Sequence, residues 1–276
     1  MSSIPSSASR RRARTVILTG PSLMHRNTCA TLLRAGVDVA GIVICDRRRV
    51  SDRWNHLRRW AARYGWQRAA SQILARFLYN LTVGRRDGRW LRDLVDDTAN
   101  QATITASGVP VVYTTSYSAP ETRDSICSWA PEFLVVHSPY IVGRKVRALA
   151  AVSTIGGHPG ITPWYRGSYS AFWALTHERP EMVGWTVFEL DEGIDTGPIL
   201  AQGRLVAESG DSHMLLTFRG MIAEARAQAD LILRYASGQD LQATPVTTVD
   251  DSTYFGPPTL SDLLRHFRVR KDDARR

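Results

Sequence analysis

Cysteine is scarce in this sequence. Cys29, Cys45 and Cys127 are widely spaced and form no C-x-x-C pair, which argues against a disulfide framework and a zinc site and points to a reducing, cytoplasmic setting. No metal site is expected. No apolar run approaches the roughly 18–20 residues that cross a bilayer, so no membrane partner is expected. The start of the chain, Met1 to Arg14, is rich in Ser, Pro and Arg with no apolar stretch behind it. Residues 1–13 therefore read as a disordered basic tail rather than a secretory signal, with a faint resemblance to an organellar leader. Also missing are G-x-G-x-x-G after the first strand, the phosphate loop G-x-x-x-x-G-K-S/T, H-E-x-x-H and G-x-S-x-G. Their absence removes the commonest dinucleotide, nucleotide-triphosphate, zinc-protease and serine-hydrolase roles of an α/β chain.

Acidic residues are outnumbered, 26 against 35 Lys and Arg, for a net charge of +9. Such a balance favours phosphate-bearing partners such as nucleic acid or nucleotide-sugars, although an arginine-biased genome produces it too. Hydrophobic residues make up 43% and charged residues 22% of the 276, enough for one large cored domain with an appended segment.

Short Val/Ile-rich runs recur along the chain. Thr15 to Thr19 ends at Gly20-Pro21, a helix is expected from Thr28 to Ala35, and Val39 to Cys45 follows. Two such runs around a helix make a βαβ unit with parallel strands. Further runs lie at Val109–Tyr113, Phe133–Val136, Ala151–Ile155 and Trp185–Leu190. Their continuous apolarity suits strands covered on both faces. The class is α/β, a mostly parallel sheet flanked by helices.

Residues 46–100 break this rhythm and read as a helical insertion. Leu74, Phe77, Leu78 and Leu81 recur at helical spacing, as do Leu57, Trp60, Ala61 and Tyr64 one helix earlier. Arg47, Arg48, Arg49, Arg53, Arg58, Arg59, Arg63 and Arg68 make it strongly basic. The plain expectation is a solvated face over an aromatic core, since arginine stems cover apolar surface; a phosphate-contacting lid is the alternative. Met214 to Ala236 reads as one long amphipathic helix stopped by Gly238. The main domain is thus expected over 14–238. Residues 239–276, ending in a short helix from Leu260 to Phe267, are too few for a second core and should pack on it.

Ligands of open α/β sheets sit at the carboxyl ends of strands, which directs attention to two segments. After the run ending at Ile155 comes Gly156-Gly157-His158-Pro159-Gly160-Ile161-Thr162-Pro163-Trp164-Tyr165-Arg166-Gly167; after the next comes Asp191-Glu192-Gly193-Ile194-Asp195-Thr196-Gly197-Pro198. Asp195 stands 37 residues after His158. An imidazole beside a carboxylate has its tautomer and protonation controlled, as a general acid/base or an oxyanion stabiliser requires. Alone, His158 would read as a structural hydrogen-bonder and Asp195 as a turn-capping carboxylate.

Together the two segments resemble the folate-dependent formyltransferase family, in which N-x-H-x-S/G-x-L-P-x-Y-R-G is followed at similar spacing by D-x-G-x-D-T-G-x-I/M-L. The resemblance extends from about Arg14 to Gly238. It implies a Rossmann-like formyltransferase fold, 10-formyltetrahydrofolate as donor, and a primary amine of a small molecule as acceptor. His158 would stabilise the oxyanion, while Asp195 would orient it and help deprotonate the amine. Folate contacts would fall on Pro139, Tyr140, Ile141 and Val142, and on Leu190, Asp191, Glu192 and Ile194, chiefly through backbone groups. Tyr165, Arg166 and Arg26 would border the acceptor, the arginines as phosphate or carboxylate clamps or as loop braces. Near Arg26, His25 reads as an exposed loop residue and Asn27 as a helix N-cap.

Two positions depart from the pattern, Thr162 in place of the family's leucine being the minor one. The family's asparagine, two residues before the histidine, is Gly156 here, which removes an oxyanion donor of a kind worth about 10²–10³ in rate. Thr154, Ser138 or His137 could replace it. Otherwise the site hosts another acyl donor or reaction, or none. Hydrolysis of 10-formyltetrahydrofolate is a further alternative. The acceptor reads as an amino sugar on a nucleotide or a specialised metabolite; tRNA is disfavoured because a larger C-terminal barrel is not expected here. A homodimer is compatible with the sequence.

Overall fold

The β-branched runs assemble side by side because only a shared sheet satisfies their backbone groups while burying both faces. The computed structural model describes residues 11–47, 58, 62, 65–208, 210–247, 250 and 253–273. Its strands are β1 (Thr15–Thr19), β2 (Val39–Cys45), β3 (Val111–Thr114), β4 (Phe133–His137), β5 (Ser153–His158), β6 (Arg166–Gly167), β7 (Gly184–Glu189), β8 (Ile199–Arg204) and β9 (Tyr254–Phe255). Among the described residues one sheet has the order β3-β2-β1-β4-β5-β7-β8, and β6 pairs with β9 apart from it. The pairs from β3 through β5 are parallel. β7 runs antiparallel to both β5 and β8. The direction of winding reverses between β1 and β4, which opens a crevice at their carboxyl ends.

The helices are α1 (Leu23–Arg34), α2 (Trp66–Tyr79), α3 (Arg85–Leu94), α4 (Asp97–Ala106), α5 (Pro120–Ser128), α6 (Arg144–Arg147), α7 (Ser170–Thr176), α8 (His213–Ala236) and α9 (Leu260–Asp273). On one sheet face Cys29 and Leu32 of α1 and Ala229 and Ile232 of α8 meet Ile17, Val135 and Ile155. On the other, Ile126 of α5 and Val146 of α6 meet Val16, Leu18, Leu134 and Val136. Each fully buried Leu or Ile contributes about 1.5–3 kcal/mol.

Several boundaries move for identifiable reasons. α1 starts at Leu23, not Thr28, because the Ser22 side chain accepts from the His25 amide while His25 Nδ1 accepts from the Ser22 amide. This is a capping box with histidine in the place usually held by Glu or Gln. Asn27 is therefore no cap; it is buried mid-helix, accepting from Asn100. β5 runs on to His158, which makes that residue the end of the strand itself.

The insertion holds α2, a π turn at Asn80–Gly84, α3 and the start of α4. The side of α2 that is covered is not the expected one. Ala69, Gln72 and Ala75 are buried; of the expected stripe Leu78 is half-buried on the cluster of Ala75, Phe172 and Leu263, whereas Leu74, Phe77 and Leu81 are exposed. Small side chains let α2 lie close against Phe172 of α7 and Leu263 of α9, and periodicity alone does not say which stripe is covered. The helix expected over Leu57, Trp60, Ala61 and Tyr64 lies outside the described residues. So do Arg48, Arg49, Arg53, Arg59 and Arg63.

Residues 11–13 are docked rather than loose. The Arg11 amide donates to the Ala236 carbonyl at 3.0 Å, its guanidinium pairs with Asp240, and Ala13 is buried. At the other end α9 extends to Asp273 and rests on α7 and α2. Cys29 and Cys45 are buried and Cys127 exposed, all as free thiols. Burial pushes Cys29 up to about 12, so it is inert. Among the described residues no helix is long and apolar enough to cross a membrane, and no group of His, Cys, Asp and Glu could hold a metal ion.

Candidate active site

His158 ends β5 with only 4% of its surface exposed. Its Nε2 lies 2.8 Å from the Tyr165 carbonyl and 2.9 Å from Ser170 Oγ. A carbonyl only accepts, so Nε2 carries the hydrogen in that contact. On the other side of the ring, Nδ1 faces Asp195 Oδ2 at 3.4 Å, longer than a well-formed hydrogen bond. Acceptors thus face both nitrogens. Asp195 is itself fixed, since Oδ2 accepts from the Gly167 amide at 2.8 Å and its backbone takes the left-handed conformation at φ 53. The ring is oriented mainly by Tyr165 and Ser170. Asp195 supplies charge at a slightly longer range.

The route by which Asp195 arrives differs from the sequence reading. Because β7 is antiparallel, Ile155 pairs with Glu189 and His158 with Thr186. The carboxyl end of β7 therefore lies beside Thr154, whose carbonyl accepts from the Leu190 amide. The loop from Leu190 must fold back along β5 to place Asp195 at His158. It is braced internally by Asp191, which accepts from Gly193 and Thr196. It is also braced from outside by Arg166.

That arginine is buried, and its three nitrogens donate to Thr253 Oγ1, the Ile194 carbonyl and the Asp250 carbonyl at 2.9–3.1 Å. Arg166 is a brace between loops, its fork taken up by protein acceptors. Arg26 has the same fate. Nε and Nη2 grip both oxygens of Asp97 at 2.7 Å, and Nη1 donates to the Pro21 carbonyl. It ties α1 to α4. Tyr165 contributes its carbonyl to the site while its ring is buried, stacked on Phe255.

The loop after β4 mixes exposed Pro139 and Ile141 with buried Val142. Tyr140 and Leu190 pack on the same apolar cluster as Val142, and Leu190 reaches over Gly156 of β5. Tyr140 is stacked by Arg47, 4.8 Å from the ring centre, and its hydroxyl accepts from the Arg47 amide. Glu192 and Ile194 are exposed.

Gly156 lies under the Leu190 side chain. A side chain there would begin 2.3 Å from Leu190 Cδ1 and 3.3 Å from the Phe188 ring, so the space of the missing amide is filled with hydrocarbon. The nearby stand-ins are mostly engaged. Thr154 donates to the Arg147 carbonyl, and His137 is held between Thr28 and Glu224. Ser138 contacts the Tyr117 hydroxyl and accepts from the Tyr140 amide.

The sequence pattern of the formyl transferase family matches residues 92–230, just over half of the chain and including both His158 and Asp195. This chain belongs to the formyl transferase family. Over 130 residues it is 30% identical to a methionyl-tRNA formyltransferase of Desulfotalea psychrophila, covering 42% of this chain and 40% of that protein. It is 28% identical over 109 residues to a GDP-perosamine N-formyltransferase of Brucella melitensis, covering 39% and 42%. The matches thus span less than half the length of these curated relatives. Glycinamide ribonucleotide transformylase 1 from Symbiobacterium toebii superimposes with a TM-score of 0.56 at 14% identity, over 86% of this chain and 94% of that one, a likeness of fold.

Beneath the formyl transferase motif lies a buried layer that periodicity concealed. Glu224 of α8 is fully buried, with Oε1 2.8 Å from His137 Nε2. Burial pushes its carboxyl above the ordinary range, and the bond to His137 pulls the other way. A side chain at Gly157 would strike Glu224 and Gln228, so that glycine is required by the polar layer. Ser170 was also hidden in an ordinary helix start, without a spacing signal.

Proposed function

We propose that the protein transfers a formyl group to the primary amine of a small molecule. The observation that carries this reading is the His158–Asp195 pair at 3.4 Å, its aspartate tethered by Gly167. Bound at this pole, 10-formyltetrahydrofolate supplies an electrophilic formyl carbon and leaves as tetrahydrofolate. The loops at 139–142 and 190–194 suit such a donor: both pack on one apolar cluster through Tyr140, Val142 and Leu190 while Pro139, Ile141, Glu192 and Ile194 are exposed. His158, carrying hydrogen on Nε2, donates to the oxygen that gains charge as the amine attacks, once the ring exchanges the Tyr165 carbonyl for substrate. Asp195 takes the proton released by the attacking amine and returns it to the folate nitrogen as the bond between that nitrogen and the formyl carbon breaks.

With hydrocarbon over Gly156, His158 bears the task the family gives to an amide. The test is formyl transfer to a panel of amines, with calorimetric binding of a stable 10-formylfolate analogue. Binding with turnover lost in His158→Ala supports the reading. Turnover unchanged in that variant sinks the catalytic assignment. Formate release without amine identifies hydrolysis instead, and no binding at all leaves another donor or a non-catalytic role.

A further inference from the structure

A cavity of about 910 Å³ lies between α2, the π turn and α3 on one side and α7, the start of α8 and residues 254–258 on the other. Phe172, Phe218, Met214 and Leu91 supply apolar wall. Gln72, Asp87 and His213 line it as well, with 5%, 4% and 2% of their surface exposed. Each keeps a buried polar atom with no partner among the described residues: Gln72 Oε1, Asp87 Oδ1 and both His213 nitrogens. Their remaining groups are placed, since Gln72 Nε2 donates to the Pro257 carbonyl and the Tyr79 hydroxyl donates to Asp87 Oδ2. Buried polar groups are nearly always paired. Three unpaired ones in the wall of one cavity mark positions that ligand atoms would satisfy.

The balance of groups defines the ligand. Asp87 and Gln72 offer acceptors, so they call for hydroxyl or ammonium donors. Burial pushes His213 down to about 3, leaving a neutral ring that gives one hydrogen bond and takes another. Arg68 and Arg76 also line the cavity but are exposed, so its buried part is apolar with acceptors. That suits a ring-bearing amine or phenol better than a nucleotide diphosphate.

The cavity also adjoins the His158 pole through four consecutive residues. The Gly167 amide holds Asp195, Ser168 and Tyr169 line the cavity, and Ser170 Oγ touches His158 Nε2. We propose that this cavity holds the body of the acceptor, an arylalkylamine-sized molecule with a second hydrogen-bond donor directed at Asp87 and Gln72. The link to acceptor chemistry rests on the formyl-transfer reading; occupancy of the cavity does not.

Calorimetry on the full chain with tyramine and, separately, thymidine diphosphate tests it. Tyramine should bind the wild type, bind at least about tenfold more weakly to Asp87→Asn, and not bind Leu91→Trp, which fills the cavity. The stable 10-formylfolate analogue should bind all three alike. Should Leu91→Trp fail to fold, the isosteric Asp87→Asn carries the comparison. No tyramine binding to folded wild type, equal affinity in Asp87→Asn, or tighter binding of thymidine diphosphate overturns the cavity assignment. If the folate analogue still binds in that case, formyl transfer survives without it. Tyramine bound with the expected variant response, but turnover unchanged in His158→Ala, keeps the cavity and sinks the catalytic reading.

Discussion

At the residue scale the site depends on who occupies the space beside His158. Gly156→Asn would restore the family's amide, but its Cβ would fall 2.3 Å from Leu190 Cδ1. Overpacking of that kind costs about 1–3 kcal/mol. The single variant should lower the denaturation midpoint, and Leu190→Ala in the same chain should recover part of it by vacating the space. If Gly156→Asn alone is as stable as wild type, the filled space is not rigid. His158→Ala should cut formyl transfer by at least about 100-fold, read as kcat/KM under saturating donor. Ser170→Ala should cost less, since the Tyr165 carbonyl still holds Nε2.

At the scale of elements, the loop carrying Asp195 is held by contacts distant in sequence. Arg166 joins it to residues 250 and 253. Arg166→Met keeps much of the volume and removes three part-buried hydrogen bonds, each worth about 1 kcal/mol net. Urea denaturation should therefore show a loss of about 3 kcal/mol, with formyl transfer falling alongside as Asp195 loses its register. A loss of stability without any loss of turnover would show that the brace does not place Asp195. The same scale explains Arg26. Its pairing with Asp97 is set by the packing of α1 on α4, so a loop arginine that looked free for phosphate was already committed.

Across the whole molecule, buried histidines link stability to pH. Burial pushes His213 down to about 3 and His266 down to about 4 from an ordinary 6.5. The unfolded chain takes up these protons as pH falls through 6.5, while the folded chain refuses them until far lower. Acid therefore favours unfolding over this window. Each ring contributes about 1.4 kcal/mol per pH unit once well below 6.5. Thermal melts should show Tm falling steadily from pH 7 to 5, and His213→Phe should flatten that slope; an unchanged slope would mean that His213 ionises freely in the fold.

The chain itself declared the sheet, the pole and the family. Runs of β-branched residues leave few arrangements other than parallel strands under helices, and two long motifs 37 residues apart bring His158 and Asp195 together. Local pattern carries such information because strand periodicity and turn chemistry act over a few residues. What it did not carry is which surfaces meet. The antiparallel run of β7, the hydrocarbon over Gly156 and the burial of Glu224 beneath Gly157 arise from contacts between residues far apart in sequence. So do the burial of alanines rather than leucines on α2 and the capture of Arg26 and Arg166 by protein acceptors. Residue types announce what a side chain can do; only packing assigns the partner that uses it up.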